Sequence, residues 1–221
     1  MTTPAPSPPQ DMRVVLACVL LTLACVGARR YWRKRIVLLD WDLTLDCLST
    51  PGSKRVTREA RDNIMKKIVM SRAQESGYMF TLRAFLCKLA QRTFEENILF
   101  LVVTRNNADN VRWMLENVVE MKPGAFKVIS DTRKVYNKIE LVLLFYPHSA
   151  SGVWVLVDDS TDEHEDAAAY ARENCTGMTL RHVRVKRPSK GDAYNYQYGM
   201  MNQKIALEDF FWAINPWNLW G

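Results

Sequence analysis

Ile36-Val37-Leu38-Leu39-Asp40-Trp41-Asp42-Leu43-Thr44-Leu45 sets an unbroken apolar run directly against two carboxylates separated by one residue. Such a run, ended abruptly by polar residues, is the pattern of a strand buried on both faces, as in a parallel sheet. The same pattern recurs along the chain at Ile98–Val103, at Val128–Ile129 with its flanks, at Val153–Val157 and at Leu180–Val185. Between these runs, Arg58–Ala73, Tyr78–Gln91, Asn107–Val119 and Val135–Phe145 carry apolar residues at helical spacing, and Glu163–Glu173 reads as a short exposed helix. Regular alternation of this kind predicts an α/β fold, a three-layer sandwich around a central, mostly parallel sheet.

Open parallel sheets place their ligand sites beyond the carboxyl ends of the strands, so the residues that follow each run carry the chemistry. After the first run come Asp40 and Asp42, after the second Thr104, and after the fourth Asp158, Asp159 and Ser160. Any one of these is an ordinary turn former or helix cap by itself. Together they gather four acidic side chains at one sheet mouth. Such a group repels itself without a cation, and its hard oxygen donors suit Mg²⁺.

Asp40-x-Asp42-x-Thr44 behind an apolar strand, Thr104 ending a second strand and Asp158-Asp159 ending a later one resemble the signature motifs of the haloacid-dehalogenase (HAD) superfamily. The resemblance runs from about Arg35 to Val185. It implies a Rossmann-like fold and Mg²⁺-dependent phosphomonoester hydrolysis through an aspartyl-phosphate on Asp40. In that scheme Asp42 is the general acid and base, while Thr104 and a lysine hold the phosphoryl oxygens, with Arg105 beside them. Lys134, reached through Phe126–Arg133, fits the family's approach to that lysine, and Lys138 is the alternative. The implied metal ligands are Asp40, Asp158, Asp159 and the main-chain carbonyl of Asp42. Leu43 stands where many similar capless phosphatases have Glu, which leaves the subfamily open.

Outside that span the chain has a different character. Residues 1–12 are rich in Pro, Ser and Thr and are expected to be disordered. Residues 13–30 contain the uncharged apolar stretch Val14–Ala28, followed by Arg29, Arg30, Arg33, Lys34 and Arg35. The stretch is short against the roughly 20 residues of a usual spanning helix, yet flanking arginine stems can reach the interfaces. A membrane anchor is the favoured reading, with residues 31–187 on the cytoplasmic side by the positive-inside rule. A secretory signal peptide, cleaved near Val26-Gly27-Ala28 to leave a secreted or lumenal domain, is the second reading. A packed helix is the third. Residues 188–221 form a tyrosine- and tryptophan-rich tail, read as a strap over the core rather than a docking surface.

The 221 residues carry a net charge of +6, and the basic residues gather at the membrane-proximal edge instead of interleaving with aromatics. That distribution argues against nucleic acid. The five cysteines show neither a disulfide framework nor zinc spacing. A loop and two helices fill the interval between Thr44 and Thr104, which leaves no room for a cap domain. An uncapped site admits a macromolecular substrate, a phosphoprotein near a membrane being the expectation. The competing function is a membrane-tethered binding module that keeps this fold without turnover.

Overall fold

The computed structural model describes residues 35–45, 57–187 and 199–215, together with positions 14, 15, 18, 19 and 21; side chains at 60 and 63–76 are outside the description. By its contacts the chain divides into two units, Met1–Arg33 and Lys34–Gly221. In the first, Val14, Val15, Cys18, Val19 and Leu21 are helical and exposed, and the rest of the expected anchor lies outside the described residues. No helix among the described residues is long and apolar enough to cross a membrane.

The second unit runs β1 (Arg35–Leu39), α1 (Arg58–Glu95), β2 (Ile98–Thr104), α2 (Ala108–Asn117), β3 (Lys127–Ser130), α3 (Lys138–Phe145), β4 (Gly152–Asp158), α4 (Thr161–Asn174), β5 (Met178–Arg184) and α5 (Lys204–Ile214). All four strand pairings are parallel, in the order β3-β2-β1-β4-β5. The chain therefore winds outward from β1 to one edge, then crosses back to β4 and winds to the other. β1 and β4 are neighbours at the point where the winding reverses, the place where doubly wound sheets bind ligands.

Alternation along each strand divides the core into two layers. Val37, Leu39, Phe100, Val102, Val155 and Val157 face α1, α2 and α5. Ile36, Leu38, Leu101, Val103, Trp154 and Leu156 face α3 and α4. Every core position of β1 is fully buried, which is why its sequence reads as a continuous apolar run.

Three expectations change in detail. The two helices foreseen at 58–73 and 78–91 are one helix of 38 residues; Gly77 in its middle costs about 1 kcal/mol relative to Ala, too little to break it. The helix expected from Val135 begins at Lys138, because the Asn137 side chain accepts from Glu140 N at 2.9 Å and caps it there. Lys134 has a left-handed φ of 53°, which no helical turn accommodates. The exposed helix foreseen at 163–173 spans 161–174 and buries Glu163, His164, Ala167 and Ala171.

The C-terminal segment contributes to the core. Phe210, Ala213 and Ile214 are buried in the same layer as Leu39 and Phe85, and the Phe85 and Phe210 rings meet edge to face at 5.3 Å. Arg35 and Arg181 donate to the carbonyls of Ile214 (2.9 Å) and Ala213 (2.8 Å), which satisfies the end of α5. Tyr194, Tyr196, Tyr198, Trp217 and Trp220 lie outside the described residues.

Candidate functional site

β1 ends at Leu39 level with Val157 of β4, so the next residue on each strand, Asp40 and Asp158, emerges side by side at the sheet's carboxyl edge. Asp40 N donates to Val157 O at 2.9 Å, which holds the first carboxylate against the second strand. Asp159 is fixed from the other direction. Its N–H donates to the Thr44 hydroxyl at 3.0 Å, and that hydroxyl lies 3.4 Å from Asp159 Oδ1. Thr44 reaches this position because Leu43 takes a left-handed φ of 60°, which turns the chain back after Asp42.

The carboxylates of Asp40, Asp158 and Asp159 offer oxygens that all lie within 4.8 Å of one another. Between the first two sits Lys138, its Nζ 2.5 Å from Asp40 Oδ1 and 2.5 Å from Asp158 Oδ2. The lysine is 1% exposed. Burial alone would lower its pKa, yet the charges of Asp40 and Asp158 outweigh it and raise it, so the ammonium persists. Burial pushes the Asp40 carboxyl well above its usual range, with Lys138 opposing and Asp158 and Asp159 adding to the rise. Burial raises Asp159 too, with Asp158 as the next cause. One ammonium therefore serves two buried carboxylates, and Asp159 is paired with the largely exposed Arg187 at 2.9 Å. Oxygen donors, close spacing and excess negative charge fit a hard divalent cation such as Mg²⁺, held by Asp40, Asp158 and Asp159.

Asp42 does not join that cluster through its side chain. Asn106 Nδ2 donates to both of its oxygens at 3.3 Å, and the Thr104 hydroxyl lies 3.5 Å from Oδ2. Thr104 is fully buried, and its hydroxyl accepts from Asn106 N at 3.0 Å. Thr104 thus stands at the site's wall beside Asp42.

Arg105, expected to bind substrate, is engaged with protein carboxylates. Its Nε and Nη2 donate to the two oxygens of Glu163 at 2.7 and 2.8 Å, and Nη1 donates to Asp131 at 3.3 Å. Burial would raise the Glu163 pKa, but the Arg105 hydrogen bond and the charges of Lys138, Arg105 and Lys134 hold it below its usual value. Asp131 also knots the loop after β3, accepting from Arg133 N (3.1 Å) and Tyr136 N (2.9 Å).

Lys134, expected to face phosphate, is exposed on this knotted loop. Lys138, one helical turn further on, is the lysine among the carboxylates; α3 starts at that residue and aims its first side chain inward. Asn106, Asp131 and Glu163 were not singled out from the sequence. Asn and Glu on helix-flanking positions carry no pattern that separates them from caps, and Glu163 lies on a helix whose charged residues read as solvated. His164 is a further buried polar group, with Nε2 3.1 Å from Asp158 O and Nδ1 2.8 Å from His182 Nδ1.

No protein-family model matches the chain, and no curated protein matches it. Among solved structures it is similar to the HAD domain of the effector protein Lem4 from Legionella pneumophila, an inactive mutant. The two share 15% identity and a TM-score of 0.49, with 80% of this chain and 98% of the other covered. A likeness of that degree adds nothing to what the residues above establish.

Proposed function

We propose that this protein is a Mg²⁺-dependent phosphohydrolase of the haloacid-dehalogenase kind, working on phosphomonoesters through a phosphorylated Asp40. The observation that carries the reading is the convergence of Asp40, Asp158 and Asp159 at the winding reversal, with the Lys138 ammonium between the first two and Asp42 two residues beyond Asp40. Phosphoryl transfer asks a protein for an in-line nucleophile, compensation of charge and a proton donor for the leaving group.

Asp40 is the nucleophile, because its carboxylate lies at the strand end with the ammonium beside it. Its attack forms the Asp–phosphorus bond as the ester oxygen departs. Asp42 gives that oxygen a proton, then takes one from the water that cleaves the acyl phosphate, a general acid–base role. Asn106 holds the Asp42 carboxylate for both steps. The Thr104 hydroxyl and the Lys138 ammonium compensate charge on the phosphoryl oxygens. Mg²⁺ bound by Asp40, Asp158 and Asp159 would add Lewis-acid neutralisation of those oxygens.

Residues 105–151 contain α2, β3, α3 and a short turn and no inserted domain, which supports an uncapped site and a macromolecular phosphoprotein substrate. The basic cluster Arg29–Arg35 supports a placement at a membrane surface, each residue worth about 1 kcal/mol toward anionic headgroups. The decisive experiment is hydrolysis of an aryl phosphate with and without Mg²⁺. The Asp40→Asn protein is expected to fold and to lose turnover; undiminished turnover removes Asp40 from its role. Absence of turnover in the parent protein at any Mg²⁺ concentration favours the binding-module alternative. Carbonate-resistant pelleting of the full chain with vesicles, abolished by deletion of residues 1–34, tests the anchor.

A further inference from the structure

β3 forms one edge of the sheet and among the described residues pairs only with β2. Apart from the Val128 carbonyl, the alternate main-chain N–H and C=O groups along its outer side are therefore available to another strand. A groove of about 370 Å³ runs along this edge, walled by α2 on one side and by Phe145 on the other. Its floor is apolar, with Leu115, Met121 and Phe126 nearly buried. Its rim is basic: Lys122, Lys127 and Arg112, the last paired with Asp109 at 2.9 Å, line it with a single acidic residue, Glu116. Arg112 donates to the outward carbonyl of Val128 at 3.3 Å, and Lys127 lies over the Phe145 and Tyr146 rings at 5.1 and 4.9 Å.

The groove leads toward the site. β3 runs to the sheet's carboxyl edge, and the loop that follows is held rigid by Asp131, itself anchored by Arg105. That loop presents Arg133, Lys134 and Val135 outward. Neither Arg133 nor Lys134 enters an ion pair among the described residues, and Val135 is 62% exposed. The loop ends at Asn137, which starts the helix bearing Lys138.

Resting on the phosphohydrolase reading, we propose that the substrate is an acidic phosphopeptide segment that adds as a strand to the β3 edge. Main-chain pairing supplies affinity in this mode, and the rim cations select carboxylates. Nucleic acid would leave the strand's outward N–H and C=O groups and the apolar floor unmatched. Geometry sets the spacing. An added strand lies three strand intervals from β1, about 14 Å at ~4.8 Å each, a span that about four extended residues cover. The phosphorylated residue thus lies about four positions from the acidic, strand-forming segment, and the residues between them pass Arg133 and Lys134.

The test is fluorescence anisotropy on the full-length Asp40→Asn protein with a labelled phosphoserine peptide. The peptide carries three glutamates at that spacing. Replacing the glutamates with glutamine, N-methylating alternate backbone amides of the segment, or introducing Lys122→Glu with Lys127→Glu should each weaken binding about tenfold. Equal affinity across these forms, or tighter binding of a 5′-phosphorylated oligothymidine lost in the same charge-reversed protein, overturns the inference. Aryl phosphate turnover by the parent protein is measured alongside. If that turnover is absent while the peptide binds as described, the hydrolase reading fails and the groove stands; if turnover is present and the peptide forms bind alike, the groove fails alone.

Discussion

Lys138 and Asp40, 98 positions apart in the chain, meet at 2.5 Å with both side chains largely buried. The contact exists because two unrelated local events coincide: β1 stops at Leu39, and Asn137 caps a helix whose first residue is the lysine. A lysine with its stem fully buried cannot leave without exposing two carboxylates to an apolar environment.

Lys138→Met should therefore cost more than an ordinary truncation. Breaking a buried pair from one side typically costs about 3–5 kcal/mol, and urea unfolding at neutral pH should show a loss of that size. Aryl phosphate turnover should fall at least about a hundredfold. Lys134→Ala should change either quantity only slightly, since that side chain is exposed. The reverse ranking in steady-state assays would return the phosphate role to Lys134.

Mg²⁺ bound at this cluster would compete with the lysine for Asp40 and Asp158, which gives a thermal signature. The increase in Tm on adding millimolar Mg²⁺ should be larger for Lys138→Met than for the parent protein, because the cation then meets uncompensated charge. Asp158→Ala should abolish the increase. A Tm that ignores Mg²⁺ in all three proteins would remove the metal from this cluster.

Asn106 donates to both oxygens of Asp42. Asn106→Ala should lower kcat about tenfold while KM stays within about twofold, the mark of lost orientation rather than lost binding. An effect on KM alone would place Asn106 with substrate instead.

Stability should fall in acid along a path that Arg105 helps to set through Glu163. Glu163 and Asp131 both titrate below their ordinary values of 4.5 and 3.8, against the effect of burial. In the window beneath those values the unfolded chain binds more protons than the native one, so stability rises with pH and is lost as pH falls through the depressed pKa values. Arg105→Met weakens the Glu163 depression above all, since the main-chain N–H groups of Tyr136, Arg133 and Val135 do more than Arg105 to hold Asp131 down. Its unfolding free energy, measured by urea between pH 2.5 and 7 with EDTA present, should depend less steeply on pH than that of the parent. Parallel curves would show that Arg105 does not set these titrations.

Phe210 is fully buried against Phe85. Phe210→Ala should cost about 3–5 kcal/mol in a chemical denaturation experiment, whereas Phe211→Ala, at a half-exposed ring, should cost far less. Similar losses from the two would mean that α5 rests loosely on the sheet.

The strands were legible because burial on both faces removes every polar residue from them, as in Ile36–Leu39. The strand-end carboxylates were legible for the complementary reason: Asp40 and Asp158 are where the apolar runs stop. Start positions of helices were less so. Whether α3 begins at 135 or 138 depends on the main-chain hydrogen bonds of Asp131 and on the cap at Asn137, and this decided which lysine enters the site. Asn106 and Glu163 were silent, since their roles arise from contacts across 64 and 58 positions. The continuous α1 was read as two helices because the apolar spacing lapses between Ala73 and Tyr78, although Tyr78, Leu82, Phe85 and Leu86 pack on the sheet beyond the gap.

The bond from Arg35 to Ile214, spanning 179 positions, bears on how the protein is made. The layer containing Leu39, Phe85 and Val157 is covered only in part by α1 and α2 on a ribosome until α5 has emerged, so the sheet waits for nearly the entire unit before it can close. Contacts of such long sequence separation slow folding and lengthen the time for which apolar strands are exposed. A nascent chain of this kind has good reason to meet a chaperone. A chain ending at Val185 would retain every carboxylate of the site and still be expected to aggregate before it could use them.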